Sequence, residues 1–191
     1  SGGKRIRPAL YLLATKSNPN LDKDYVMPLA MALEMIHTAS LVHDDVLDNA
    51  RTRRNSPTLF AKTSTSRAVL AGDLLLARVM VELANEGDVQ IIRDLALVVE
   101  DLVNGEWLQL HARGQSDITH AHLLEVTKRK TASLMSWSCR VAARFAPNRD
   151  ERLLEAATQF GSALGVAFQM VDDVIDFEVT KKKDIAKDFK E

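Results

Sequence analysis

Cysteine is almost missing from this chain. Cys139 is the only one in 191 residues, so no disulfide closes within it. Its helical surroundings mark it as a small buried apolar residue. Net charge is almost missing too. The formal total of −1 gives no bulk electrostatic case for binding nucleic acid. No apolar run is read as reaching the length of a membrane span, and the first residues do not read as a signal peptide. The expectation is therefore a cytoplasmic location and no transmembrane segment. The sequence also lacks an alternating strand pattern, an internal repeat and a low-complexity segment. It shows no Ser-His-Asp or Cys-His arrangement for nucleophilic catalysis. What remains is 46% apolar and 27% charged residues, an ordinary globular balance with enough chain for one domain and a sizeable core.

Against that plain background one pattern stands out. His43-Asp44-Asp45-Val46-Leu47-Asp48 ends a long apolar run with three carboxylates. Helical spacing puts Asp44 and Asp48 on one face, one turn apart, with Asp45 beside them. Like charges that close repel, and the C-terminal end of a helix is already negative. A divalent cation would remove the conflict, and hard Mg²⁺ takes oxygen ligands while keeping waters and substrate phosphates in its shell. Taken alone, a solvated acidic helix end explains the motif as well. But Asp172-Asp173-Val174-Ile175-Asp176 repeats it, again at the end of an apolar helical run. Two triads on two helices suit a cluster of divalent ions that clamps a diphosphate.

The remaining segments read as long helices with short connections. Gly2 to Pro8 is a flexible basic stretch, and Pro8 belongs in the first turn of a helix reaching about Ser17. Its Lys4, Arg5 and Arg7 are either a solvated basic end or an anion grip. A helix from about Asp24 to Asp48 is apolar nearly all round and is expected at the centre. His37 lies on its face two turns before Asp44, a position where a lone histidine is usually a satisfied core residue. Residues 49–64 form a polar connection with Arg51, Arg53 and Arg54, a surface charge run or, beside carboxylates, a grip for a second phosphate. Helices follow from about Ser66 to Asn85, stopped by Gly87, and from about Asp88 to Arg113, before Gly114. A third starts at Asp117 or Thr119 and ends before Pro147, and a last runs from about Asp150 to Phe177. Trp107 and Trp137 sit in apolar stripes and read as core. The fold class is all-α, a bundle of long helices around a central cavity.

Several ordered motifs together resemble the all-trans polyprenyl diphosphate synthases, the farnesyl, geranylgeranyl and long-chain type. They are Gly2-Gly3-Lys4-Arg5-Ile6-Arg7-Pro8, His43 to Asp48 with Arg53-Arg54 after it, Ala71-Gly72-Asp73, Gly105-Glu106, Lys130-Thr131-Ala132, and Phe168-Gln169 through Asp176. The sequence departs from the family at Asn55, where Gly usually follows the arginine pair, and in a shortened stretch before Asp188. Both ends stop inside patterns, so residues 1–191 are expected to be a single synthase domain without its first and final helices.

The resemblance implies an isoprenoid synthase-like fold and a Mg²⁺ cluster bound with diphosphate. Asp44, Asp45 and Asp48 would bind the metal from one side and Asp172, Asp173 and Asp176 from the other. Lys4, Arg7, His37 and Arg54 would hold isopentenyl diphosphate. Arg53, Lys130 and Gln169 would contact the allylic diphosphate, with Thr131 nearby and Lys183 as a further cation. A homodimer is implied as well. Short-chain members carry bulky aromatics four or five residues before the first Asp, where this chain has Ser40 and Ala39. Both are small, and Ile36 and Leu33, further down the helix, are the next floor for a growing product. The expectation is a long-chain product, hexaprenyl or longer. The alternatives are a short-chain farnesyl or geranylgeranyl synthase and a regulatory subunit of a heteromeric synthase.

Overall fold

Leu29, Leu33 and Ile36 recur at helical spacing along Lys23–Leu47 and face inward, each less than 2% exposed. This helix, α2, is the spine of the bundle. The computed structural model describes residues 5–16, 18, 20–85, 87–115 and 117–188, with the side chains at 23, 25 and 179–188 outside the description. Lys4 and the side chain of Lys183 therefore lie outside the described residues.

Helix α1 is Ile6–Thr15, with Pro8 in its first turn. Helix α2 starts a residue earlier than expected because the Asp22 carboxylate accepts from the Asp24 amide and caps it. The polar connection after it holds a small antiparallel hairpin, β1 (Thr52–Arg53) and β2 (Ser56–Pro57), which no alternating pattern announced. Its tip places Arg54 and Asn55 at φ of 51° and 61°, the backbone of a tight two-residue hairpin turn. A short α3 (Leu59–Lys62) leads to α4 (Thr65–Asn85) and α5 (Val89–Ala112). Gly87 and Gly114 stop α4 and α5 with φ of 75° and 80°, and Asp88 caps α5 through the Gln90 amide.

The third expected helix is divided. Thr119 caps α6 (His120–Thr127), a π-helical turn spans Lys128–Ala132, and α7 continues over Ser133–Arg144. Helix α8 is Glu151–Asp188, longer than the sequence reading ended it. Two glycines let α8 lie backbone to backbone on this segment. A Cβ at Gly165 would meet Ala132 Cα at 2.5 Å, and one at Gly161 would meet the Met135 carbonyl oxygen at 2.6 Å.

The core joins α2 to Tyr11 of α1, Val79 and Leu83 of α4, Ile91 and Leu95 of α5, and Leu134, Trp137 and Val141 of α7. Each such side chain contributes about 1.5–3 kcal/mol by leaving water. Trp137 and Cys139 are buried as read, but Trp107 is 58% exposed, so its apolar stripe is not part of this core. The stretch Val26–Leu47, with a mean hydropathy of 1.2, is after all long and apolar enough to cross a membrane by length and composition. Here that apolarity serves the centre of the bundle.

Candidate active site

The C-terminal half of α2 carries a stripe spaced three and four residues apart: Glu34, His37, Thr38, Leu41, Asp44 and Asp45. All of them line one cavity of about 1220 Å³. The facing wall is the π turn and α8, which contribute Lys130, Thr131, Phe168, Gln169, Asp172 and Asp173. Arg5, just before α1, Arg7 of α1, and Arg53 and Arg54 of the hairpin close one side, and Gln109, Arg113 and His122 another. The bundle thus brings the two acidic motifs to opposite walls of one space, with basic groups around them.

The first triad is held by the chain's own cations. Arg53 Nε donates to Asp45 Oδ1 at 2.8 Å, and the Asp45 side chain is almost fully buried. Arg113 donates to the Asp48 carboxylate and reaches the Leu47 carbonyl, an orphan acceptor at the end of α2. Burial raises the pKa of Asp44. Lys130 and Arg53 oppose that rise, and Glu106 and Asp48 add to it. Just before the triad, His43 Nε2 donates to the Val69 carbonyl at 3.1 Å and packs on Gly72, where a Cβ would lie 2.1 Å from that nitrogen. This contact accounts for glycine in Ala71-Gly72-Asp73.

On the facing wall Thr131 Oγ1 donates to Gln169 Oε1 at 2.8 Å, and Gln169 Nε2 donates to Asp173 Oδ1 at 2.9 Å. Lys130 donates to the Glu106 carboxylate and, at 3.0 Å, to Gln109 Oε1. The basic side is a cluster in its own right. Burial pushes the His37 pKa down to about 4, helped by Arg7, Arg54 and Arg53, so its ring is neutral near pH 7. Burial also lowers the pKa of Arg7, with Glu34 opposing, and Arg7 Nε finds no hydrogen-bond partner among the described residues. A buried guanidinium with an open donor suits an anion.

Asp48 and Asp176 stand off the cavity lining, and Asp48 turns to Arg113 instead. Ser40 lines the cavity, Ala39 is buried beside it, and Leu33 and Ile36 sit in the core cluster behind it. Glu34, Gln109 and Arg113 are cavity residues that sequence reasoning passed over. Glu34 and Gln109 had a usable signal, lying three residues from His37 and from Glu106 on one helix face. Among the described residues no compact group of three or more metal-ligating side chains forms a ready cage. The donors nevertheless fit Mg²⁺. They are all carboxylate oxygens, they face each other across a space open to water and phosphate, and burial of Asp44 favours a bound cation.

The bundle thus sets carboxylates that could hold metal ions beside cations that could hold an anion. The family model for polyprenyl synthetase matches residues 1–191, and the chain belongs to that family. It is 42% identical over 182 residues to the all-trans-polyprenyl-diphosphate synthase of Mus musculus, covering 92% of this chain and 44% of that protein. The crystal structure of a decaprenyl diphosphate synthase from Rhodobacter capsulatus matches at 37% identity with a TM-score of 0.86, over 92% of this chain and 53% of that one. A polyprenyl synthase from Caulobacter crescentus, complexed with calcium and isoprenyl diphosphate, matches at 34% identity and a TM-score of 0.86, over 93% of this chain and 53% of that one. The chain thus spans about half the length of these relatives.

Proposed function

We propose that this chain carries the elongation site of a Mg²⁺-dependent prenyltransferase. It condenses isopentenyl diphosphate with an allylic diphosphate and makes a long-chain all-trans polyprenyl diphosphate. The observation that supports this most is the division of one cavity into two settings for diphosphate. One lies between Asp44-Asp45 and Asp172-Asp173, and the other beside the cluster of Arg7, His37 and Arg54. The Caulobacter relative's structure, complexed with calcium and isoprenyl diphosphate, supports a site that takes a divalent ion and a prenyl diphosphate.

Mg²⁺ would be held by Asp44 and Asp45 on one wall and by Asp172 and Asp173 on the other, with Asp48 and Asp176 at the rim, and supplies neutralisation of the leaving diphosphate. Lys130 and Arg53 donate to the allylic diphosphate, and Thr131 and Gln169 fix the facing wall. Arg7 and Arg54 grip isopentenyl diphosphate, and neutral His37 adds a hydrogen bond without a charge. Breaking the allylic C–O bond leaves a carbocation. The double bond of isopentenyl diphosphate attacks it, a C–C bond forms, and a proton leaves to the released diphosphate. Leu41, Met135 and Phe168 line the same cavity and keep water from the cation.

Small side chains at Ser40 and Ala39 support a product of hexaprenyl length or more, as do long-chain relatives such as the R. capsulatus enzyme. A homodimer is part of the proposal, and Leu70 and Leu74, one turn apart on α4 and both more than 60% exposed, offer it an apolar face. The test is chromatography of the prenyl product made from farnesyl and isopentenyl diphosphates with Mg²⁺. A hexaprenyl or longer chain is expected, shortened by Ser40→Phe or Ala39→Phe without loss of the first condensation. A product no longer than geranylgeranyl diphosphate would refute the long-chain reading, and no product at all would refute the elongation site.

A further inference from the structure

Helix α5 passes behind the π turn at unusually close range. A Cβ at Gly105 would lie 2.7 Å from Lys130 Cγ and 2.9 Å from Arg129 Cβ, so only a residue without a side chain fits there. The next residue, Glu106, and Gln109 three further on share one face of α5 and both take the Lys130 ammonium. Their positions differ in one respect. Gln109 and Lys130 line the cavity, whereas Glu106 does not, and its side chain is only 12% exposed. Lys130 faces the cavity, and the Glu106 carboxylate stands behind it, off the lining.

Lysine is a compact charge on a four-carbon stem with many rotamers. Lys130 lines the same cavity as the Asp44 carboxylate. Left alone, the ammonium would be drawn to that carboxylate, which a metal ion also needs. The π turn adds its own reason for a tether. A widened turn projects its side chains off the regular helical stripe, and such turns recur at functional sites.

We propose that Glu106 is a positioning residue, which anchors the Lys130 ammonium behind the cavity wall, clear of Asp44 and aimed at the allylic diphosphate. This rests on the site reading given above, in which Lys130 contacts that substrate. Glu106 supplies charge and direction through Lys130 and touches no substrate itself. It resembles the outer partners that orient metal ligands, whose loss typically costs 10–100-fold in affinity or activity.

The test is a double-mutant cycle on the complete polypeptide. The readouts are binding of farnesyl thiolodiphosphate, a non-ionising allylic analogue, with Mg²⁺ present, and separately binding of isopentenyl diphosphate. Glu106→Gln is expected to weaken the allylic analogue about tenfold or more while isopentenyl diphosphate binding stays within about twofold. In a Lys130→Gln background the same change is expected to add less than about twofold, because the anchor then has nothing to hold. Glu106→Asp, which keeps the charge, is expected to recover part of the loss, and thermal melts establish that the variants fold. Equal weakening of both substrates, or an effect of Glu106→Gln undiminished without Lys130, would mark a merely structural role and overturn the proposal. Normal analogue binding by Glu106→Gln, with Lys130→Gln impaired, would overturn this inference alone. Normal binding by Lys130→Gln would overturn the site reading and this inference with it.

Discussion

The two acidic motifs have the same spacing in sequence and opposite settings in the fold. On the α2 wall, Asp45 is paired to Arg53, Asp48 to Arg113, and Asp44 is buried enough to raise its pKa. On the α8 wall, Asp173 takes a neutral amide from Gln169, and Asp173 and Asp176 are exposed. The α2 wall is therefore preorganised by protein cations that a metal ion must displace or share. The α8 wall is more open to water at Asp173 and Asp176, while Asp172 is half-buried. Electrostatic catalysis gains most from groups fixed before the reaction begins. In the proposed site α2 would set the geometry, and α8 would complete it on binding of metal and diphosphate.

The largest expected effect tests whether both walls are needed. Asp44→Ala and Asp172→Ala should each lower kcat by two to three orders of magnitude or more, about 3–4 kcal/mol in the barrier. A near wild-type rate in either variant would remove that wall from the metal site.

The next effect belongs to the α2 wall alone. The folded-state pKa of His37 is about 4, against an ordinary value of 6.5. Above pH 6.5 the ring is neutral folded or unfolded and contributes no pH dependence. As pH falls from 6.5 to 4 the unfolded chain takes up the proton first, so stability is lost over that window. The sum is on the order of 3 kcal/mol. Denaturant titrations at pH 7 and pH 4.5 should show this slope reduced in His37→Gln. An unchanged slope would mean that the ring is not held neutral by burial and the arginine cluster.

A smaller effect sharpens the contrast between walls. Arg113→Gln frees Asp48 from a half-exposed ion pair, so stability should change by less than about 1 kcal/mol. Divalent affinity, read by Mn²⁺ titration, should rise a few-fold, because a competing cation is gone. A fall in affinity would show that Arg113 supports the metal site. The smallest effect lies in the hairpin that carries Arg53 and Arg54. Asn55 stands at φ 61°, where glycine has no steric cost, so Asn55→Gly should alter stability by no more than about 1 kcal/mol and leave substrate binding intact. A large loss of isopentenyl diphosphate binding would show that the Asn55 side chain itself matters.

How much of this was legible follows from the range of each interaction. The Asp88 cap, the choice of Asp117 or Thr119 as the next cap, of which Thr119 is the one used, and the glycine stops at 87 and 114 are written in a few adjacent residues and appear where read. The β hairpin was not legible because strands of two residues cannot show alternation. The π turn was not legible because what packs closely against it, Gly105 on one side and Gly165 on the other, lies far along the chain. Trp107 was misplaced because an apolar stripe reads the same whether it faces a core or an open surface. The Lys130–Glu106 pair spans 24 residues, and Arg113–Asp48 spans 65, separations at which single-sequence periodicity carries no information.

The central claim is that opposed walls bind divalent ions together around one diphosphate. It is tested most directly by titrating Mn²⁺ by electron paramagnetic resonance with and without farnesyl thiolodiphosphate, using wild type, Asp44→Asn and Asp172→Asn. The expected result is more than one Mn²⁺ per chain, bound tightly only when the diphosphate is present, and weakened by either substitution. Wild-type stoichiometry and affinity in Asp172→Asn would contradict the claim and leave α2 to bind the metal alone.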